Sequence, residues 1–180
     1  MNNQKTQSAK LAKMAMLVAV SIVLVMIIHF PIFPAVAFLE YDPADIPILI
    51  GTFAFGPLAG VCLTVVTSLI QGFTVSAASG LYGIIMHILA TSALTLVAGG
   101  IYRKHKSKKA AVIGLLLGTL TMAVVMFFAN MLITPAFMGM PLSVVMKFMP
   151  FILLFNIVKA GINSVVTFLL YKRISPFLHK

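Results

Sequence analysis

Hydrophobic residues are gathered into six runs along the chain, separated by short connections that carry most of the charged residues. Four of the runs are long enough to cross a ~30 Å hydrocarbon layer, which takes roughly 20 helical residues. This pattern predicts an all-α integral membrane protein, a single domain over residues 1–180 with six transmembrane helices. The predicted helices cover residues 11–28, 46–55, 58–73, 81–102, 110–133 and 148–171.

The two short runs meet at Gly56-Pro57, and two structures fit them. Proline fixes φ and cannot continue the helix that precedes it, so the two runs can form a helical hairpin. One long helix kinked at this point is the alternative. It would place the two ends of the chain on opposite sides of the membrane.

The distribution of basic residues favours the hairpin. Eleven of the thirteen lysines and arginines fall into three clusters, around the start of the first predicted helix, after the fourth and after the sixth. Six crossings place all three clusters, and both termini, on one face, which the positive-inside rule identifies as cytoplasmic. Five crossings would leave at least one cluster outside. The clusters are Lys5, Lys10 and Lys13; Arg103, Lys104, Lys106, Lys108 and Lys109; and Lys172, Arg173 and Lys180.

Composition and charge exclude several classes of function. The chain is 61% hydrophobic and 9% charged, whereas soluble domains carry about 25% charged residues. Its formal net charge of +10 comes mainly from connections between apolar runs, so it reflects membrane topology and predicts no nucleic-acid partner. The sequence contains neither an H-E-x-x-H metal motif nor a phosphate-binding G-x-x-x-x-G-K-[ST] loop. We therefore expect no catalytic residue, metal ion or cofactor.

All three carboxylates of the chain lie in the connection between the first two predicted helices. They are Glu40, Asp42 and Asp45, and the predicted topology places them outside. The same connection holds Tyr41 and three phenylalanines, which indicates a lid with an apolar face.

A stripe of polar residues runs along the last predicted helix. Asn156, Lys159 and Asn163 stand at i, i+3 and i+7 and so share one helix face. A lysine near a helix centre costs about 2.5–3.5 kcal/mol on insertion scales, so it needs a partner. The stripe either packs on a neighbouring helix or, with Asn130 of the fifth helix, lines a solute pocket. The partner of Lys159 is a ligand acceptor, a backbone carbonyl or the acidic connection.

Other polar residues in or beside the apolar runs are interpreted as structural. His29 and His87 fit satisfied buried histidines, and Gln71 stands at a helix end, where a capping or loop contact explains it. On the first helix, Ala12, Ala15 and Ala19 form a strip of small residues. Such a strip lets the backbone of a partner helix approach closely.

The segment from Phe38 to Gly60, FLEYDPADIPILIGTFAFGPLAG, resembles the signature of the substrate-binding S components of energy-coupling factor (ECF) vitamin transporters. The resemblance extends over essentially the whole chain. It includes the stretch NIVKAGIN from Asn156 to Asn163 and an A-x-x-x-A motif from Ala15 to Ala19. Within the family, the chain is most similar to the riboflavin-specific members.

The resemblance implies capture of riboflavin from outside a bacterial cytoplasmic membrane. A transmembrane coupling subunit, joined to two ATPase subunits, would dock on the alanine strip and drive delivery. The flavin ring would be held by asparagines and a lysine of the last two helices, under a closing outer loop. The substrate-binding residues that this implies are Asn130, Asn156, Lys159, Asn163, Leu39, Glu40, Tyr41 and Asp45.

Two alternatives remain open from the sequence. The same architecture could carry another vitamin, although a cation fits less well beside Lys159. The chain could also be a standalone facilitator for a small solute. A membrane enzyme is disfavoured because the apolar runs contain no acid.

Overall fold

The computed structural model describes residues 2–178, with side chains described from residue 7 to residue 174. Lys180 and the side chain of Lys5, both assigned above to basic clusters, lie outside this part. The described chain is built from six helices: α1 Asn2–Ile27, α2 Asp45–Phe55, α3 Pro57–Phe73, α4 Gly80–Lys104, α5 Lys108–Met138 and α6 Leu142–Leu178. Four helical segments are long and apolar enough to cross a membrane, whereas α2 and α3 are shorter apolar helices. The predicted all-α membrane fold is confirmed.

The α1–α2 connection, residues 28–44, contains two short strands. β1, Phe30–Pro31, pairs antiparallel with β2, Glu40–Tyr41. A single 3-10 turn, Pro34–Val36, lies between them. The connection is therefore a folded segment with internal hydrogen bonding.

The chain reverses direction between α2 and α3. Gly56 has φ 98°, a backbone conformation that side chains rarely tolerate, and Pro57 then opens α3 with its fixed φ. The two helices lie against each other, since a Cβ atom on Gly60 would meet Thr52 and one on Gly51 would meet Leu63. The structure contains the hairpin and excludes the single kinked helix.

The last two helices begin or end beyond their predicted bounds. α5 continues through Pro135 to Met138 and ends at Gly139, whose φ of 61° is left-handed. α6 begins at Leu142, six residues before its predicted start. The sequence prediction followed hydropathy, which Ser143 and Lys147 interrupt. The helical backbone continues because these residues face outward while Val145 and Met149 are buried.

The helices differ sharply in how much of their surface the protein covers. Every residue of α2 from Asp45 to Phe53 is buried. α1 packs mainly on α2 and α3, and only 17% of the residues in its apolar stretch are buried. α4 lies between α3 and α5, and α6 closes the bundle against α5 and α2. The short helix α2 therefore lies in the interior, whereas α3 keeps one exposed face and α1 lies at the edge.

Charge is separated along the length of the bundle. One end, called here the acidic end, carries Glu40, Asp42 and Asp45 beside the start of α4. The opposite end, called the basic end, carries the α4–α5 connection with its five lysines and arginines, residues 103–109. This separation matches the predicted grouping of acids on one face and bases on the other.

Two adjacent glycines of α4 test how closely this helix packs on the hairpin formed by α2 and α3. A Cβ atom on Gly99 would lie 2.5 Å from Thr52 Cγ2 and 3.0 Å from Pro57 Cα, whereas on Gly100 it would meet no described atom within 4 Å. We expect Gly99→Ala to destabilise the fold by about 1–3 kcal/mol through overpacking. The control Gly100→Ala should be neutral or stabilising by up to about 1 kcal/mol. Melting temperatures in detergent compare the two, and a Gly99→Ala protein as stable as the control would contradict this packing.

Candidate functional site

A cavity lies at the acidic end between α3, α4, α5, α6 and the α1–α2 connection. Its volume is about 110 Å³. The residues that matter for its chemistry are Leu39, Asp42, Gln71, Tyr82, Asn156 and Lys159. It thus combines the predicted polar stripe of α6 with the acidic connection.

A buried ion pair joins α6 to the α1–α2 connection. Lys159 Nζ donates to Asp42 Oδ2 at 2.8 Å, and the two side chains are 9% and 5% exposed. Burial by itself raises the pKa of the Asp42 carboxyl, but the charge of Lys159 and its hydrogen bond hold that pKa below its ordinary value. Of the three partners considered for Lys159, the structure selects the acidic connection.

Asn163 holds the same connection from one turn further along α6. Its Nδ2 donates to the Asp42 carbonyl and to Asp45 Oδ2, each at 3.2 Å, and its Oδ1 accepts from the Tyr41 hydroxyl at 3.0 Å. Asn163 is fully buried and is absent from the cavity wall. Its hydrogen-bonding capacity is used to position residues 41–45.

Asp45 connects the start of α2 to α4. Its Oδ1 accepts from Thr91 Oγ1 at 2.7 Å and lies 3.2 Å from His87 Nε2. Because an ionised carboxylate only accepts, His87 Nε2 is the donor in that contact. His87 Nδ1 in turn contacts Ser68 Oγ of α3 at 3.1 Å. The network therefore links α2, α3, α4 and α6 around one carboxylate.

Two amide oxygens in the cavity wall remain as acceptors. Asn156 Nδ2 donates to the Ile152 carbonyl at 2.8 Å, and its Oδ1 accepts no hydrogen bond from the described chain. Gln71 Nε2 lies 3.3 Å from both Asp42 Oδ2 and Ser76 Oγ, and its Oε1 has no partner among the described residues. The Asp42 carboxylate fixes the orientation of the Gln71 amide, because only the NH₂ group can donate to it. Both oxygens can accept from a ligand.

Asn130 lies behind the cavity wall. Its Nδ2 donates to the Met126 carbonyl at 2.8 Å, and its Oδ1 accepts from Thr134 Oγ1 at 2.8 Å. Because that bond uses the Thr134 hydroxyl hydrogen, the Tyr82 hydroxyl donates to Thr134 Oγ1 at 3.0 Å. Tyr82 lines the cavity and stacks on Phe137 with ring centroids 3.9 Å apart. Asn130 is therefore connected to the cavity through Thr134 and Tyr82.

The rest of the cavity wall is largely apolar, and its methionines can adjust their shape. It is formed mainly by Phe155 and three methionines, whose unbranched side chains adapt to the surface they contact. These methionines are Met86, Met122 and Met126. A flat apolar ligand face would find its contacts here.

The α1–α2 connection is also fixed by apolar packing and by a histidine–carboxylate contact at the rim. Val36 is fully buried in a cluster with Val145, Met149 and Ile152 of α6, against which Leu39 packs. At the rim, His29 Nε2 lies 2.7 Å from Glu40 Oε2, with both side chains partly exposed. These contacts hold the connection over the cavity.

The predicted site residues divide into two groups. Four of the eight line the cavity: Leu39, Glu40, Asn156 and Lys159. The other four, Tyr41, Asp45, Asn130 and Asn163, are buried behind it in the supporting network.

The predicted binding residues left out three residues that this geometry brings into the site. Asp42 had been considered only as part of the acidic connection, one of three possible partners of Lys159. Gln71 and His87 were interpreted as structural, and nothing in their sequence neighbourhood shows that they meet Asp42 and Asp45. Among the residues that the structure describes, no group of three or more potential ligands could hold a metal ion.

The alanine strip lies on the uncovered side of α1. Ala12, Ala15 and Ala19 are all exposed within the described chain. They take no part in the cavity. The strip is free for a helix outside this chain.

The chain is similar to known transport proteins in both sequence and structure. The family model for the substrate-specific component of the ECF transporter matches residues 9–171. The riboflavin transporter RibU of Staphylococcus aureus is 31% identical over 182 residues, covering 97% of this chain and 94% of that protein. The riboflavin transporter FmnP of Bacillus subtilis is 28% identical, covering 95% and 94%. A solved structure described as the S component of a bacterial ECF transporter matches with a TM-score of 0.82 at 33% identity, covering 97% of this chain and 99% of that one.

Removing one member of the buried ion pair should destabilise the protein more than removing both. Lys159→Met or Asp42→Asn alone leaves a buried partner without its counterpart, at a cost of about 3–5 kcal/mol for a charge left unpaired. The double variant should recover part of that loss. Thermal unfolding in detergent measures all three, with Lys147→Met on the exposed face of α6 as the control. Losses that simply add in the double variant would contradict a coupled pair.

Proposed function

Since the chain belongs to the substrate-specific components of ECF transporters, and is therefore a transport protein and not an enzyme, we propose that it binds riboflavin in the cavity at the acidic end. The resemblance identified from the sequence is confirmed at the level of this family. Two relatives that match it over nearly their whole length are riboflavin transporters.

The observation that carries the proposal is the pairing of amide acceptors with an apolar wall. Riboflavin is neutral and planar, with an imide N–H, ring carbonyls and hydroxyls on its side chain. Asn156 Oδ1 and Gln71 Oε1 can accept from those donors, while the methionines and Phe155 contact the flat ring. Tyr82, held by Thr134 and Phe137, adds an aromatic contact.

The hydrogen bonds that the carboxylates already make argue against a cationic vitamin. Asp42 is paired with Lys159, Asp45 accepts from Thr91 and Asn163 and contacts His87, and Glu40 contacts His29. A cation that bound to one of these carboxylates would have to displace a protein donor. A neutral ligand can bind without breaking these contacts.

The size of the cavity indicates how the ligand enters. Sites for drug-sized ligands usually hold roughly 300–1,000 Å³, well above the 110 Å³ found here. Riboflavin is admitted when the α1–α2 connection moves outward and the methionine side chains rearrange. The connection then closes over the ligand through the contacts of Asp42 and Leu39.

We also propose how the protein is oriented in the membrane and which subunits it binds. The acidic end faces outside, and the basic end with both termini faces the cytoplasm of a bacterial cell. A transmembrane coupling subunit docks on the exposed strip of Ala12, Ala15 and Ala19, and two ATPase subunits supply the energy. The exposure of that strip and the small covered fraction of α1 support this role.

Riboflavin binding tests the function directly. Purified protein titrated into riboflavin should quench its fluorescence with saturation, and competing vitamins should not displace it. Asn156→Leu preserves shape and removes the acceptor, and we expect affinity to fall about tenfold or more because a buried donor loses its partner. Thr121→Val, on the exposed side of α5, is the control. Absence of saturable quenching by the unaltered protein would overturn the proposed substrate.

The docking strip is tested by separating binding from uptake. Ala15→Leu and Ala19→Leu should leave riboflavin affinity unchanged and abolish uptake in cells, because leucine holds a partner helix away. Ala136→Leu, an exposed alanine on α5, is the matched control for added bulk. Undiminished uptake in cells lacking the coupling subunit and ATPases would instead favour a standalone facilitator.

A further inference from the structure

We infer that the basic end holds a binding site for the headgroup of an anionic phospholipid. Two adjoining cavities open there, of about 370 and 360 Å³. They share Phe53, Tyr102 and Lys106 as lining residues. Neither cavity is part of the riboflavin site, so the inference does not depend on the proposed substrate.

A rigid aromatic cluster separates the two cavities. The ring centroid of Phe53 lies 4.6 Å from that of Tyr102 and 5.3 Å from that of Tyr171, and the two tyrosine rings are 5.8 Å apart. Phe53 is buried, whereas the tyrosines are half-buried and line the first cavity. The rings give the site a fixed floor.

Basic side chains surround this floor without any acid nearby. Lys106, Lys108 and Lys172 line the first cavity, and Lys10, Arg103 and Lys106 line the second. All three carboxylates of the sequence are at the opposite end. No side-chain carboxylate therefore balances the positive charge at this end. Basic pockets between membrane helices are the sites at which anionic lipid headgroups bind.

The start of α5 strengthens the requirement for an anion. Lys108 and Lys109 occupy the first turn, where the helix dipole is positive and acidic residues are normally favoured. Ser107 caps this end by accepting from the Ala110 N–H at 3.1 Å, and the first turn contains no acid. A phosphate beside Lys108 would offset both the lysine charges and the dipole.

The apolar wall of the first cavity identifies a lipid as the source of that phosphate. Phe168 and Leu169 of α6 line the cavity together with the three lysines, and Leu169 is 64% exposed. On a membrane helix, such an exposed leucine faces acyl chains. A phospholipid can contact both walls, because its phosphodiester binds the lysines and its acyl chains lie along Leu169. A soluble phosphate would satisfy only the basic wall.

The test compares two sets of charge-removing substitutions at the same end. Lys106→Gln, Lys108→Gln and Lys172→Gln together remove the lysines that line the first cavity. The matched control combines Lys104→Gln, Lys109→Gln and Arg173→Gln, whose exposed side chains line neither cavity. Each set removes three positive charges from the same three segments of the chain.

Binding is measured on the purified full chain with phosphatidylglycerol, using phosphatidylcholine of the same acyl chains as the neutral lipid. Native mass spectrometry counts retained lipid, and melting temperature reports stabilisation. We expect the unaltered chain and the control set to retain phosphatidylglycerol selectively. The cavity set should lose at least tenfold in affinity for that lipid.

Three results would overturn the inference. Equal losses of phosphatidylglycerol affinity in the two sets would show that the lipid is attracted to the basic surface as a whole and not to the first cavity. Equal stabilisation by glycerol phosphate would identify a soluble anion as the ligand. Unchanged lipid binding by the cavity set, combined with failure to assemble with the coupling subunit, would identify a protein docking surface.

Discussion

The ion pair between Lys159 and Asp42 is the contact on which the arrangement of the acidic end depends. A lysine inside an apolar bundle needs a carboxylate, and the chain offers carboxylates only in the α1–α2 connection and at the start of α2. The connection must therefore reach into the bundle. Asn163 secures the same segment by bonding both the backbone of Asp42 and the side chain of Asp45. The cover of the cavity is thus positioned by the electrostatics of α6.

This constraint also sets the chemistry available to a ligand. Lys159 is engaged by Asp42, so it contributes little free charge to the cavity, and the amides of Asn156 and Gln71 provide the open acceptors. Movement of the connection would break the ion pair unless the ligand or water replaced its contacts. Opening the cavity and binding the ligand are thereby linked through the same side chains.

Much of the fold could be predicted because lipid imposes simple rules on sequence. Apolar length located all six helices, and charge clusters favoured the hairpin that Gly56 and Pro57 form. Helical periodicity correctly placed Asn156, Lys159 and Asn163 near one another, but it could not tell which side chain reaches the cavity. That distinction depends on depth and rotamer, which are set by packing against other helices. The contacts of Gln71 with Asp42 and of His87 with Asp45 could not be predicted for the same reason, since they join distant segments of the chain.

The complete burial of α2 beside the uncovered surface of α1 has a consequence for how the sequence can diverge. Along α2 each residue from Asp45 to Phe53 meets protein on every side, so changes in volume or polarity there require compensating changes in several neighbours. Along α1 most of the apolar surface is not covered by the rest of the described chain, and on a surface that faces lipid one aliphatic residue can replace another at little cost. Substitutions accumulating over time should therefore be frequent in α1, outside its alanine strip, and rare in α2. The shortest helix, α2, would then be the part of the chain whose sequence stays most similar among distant relatives.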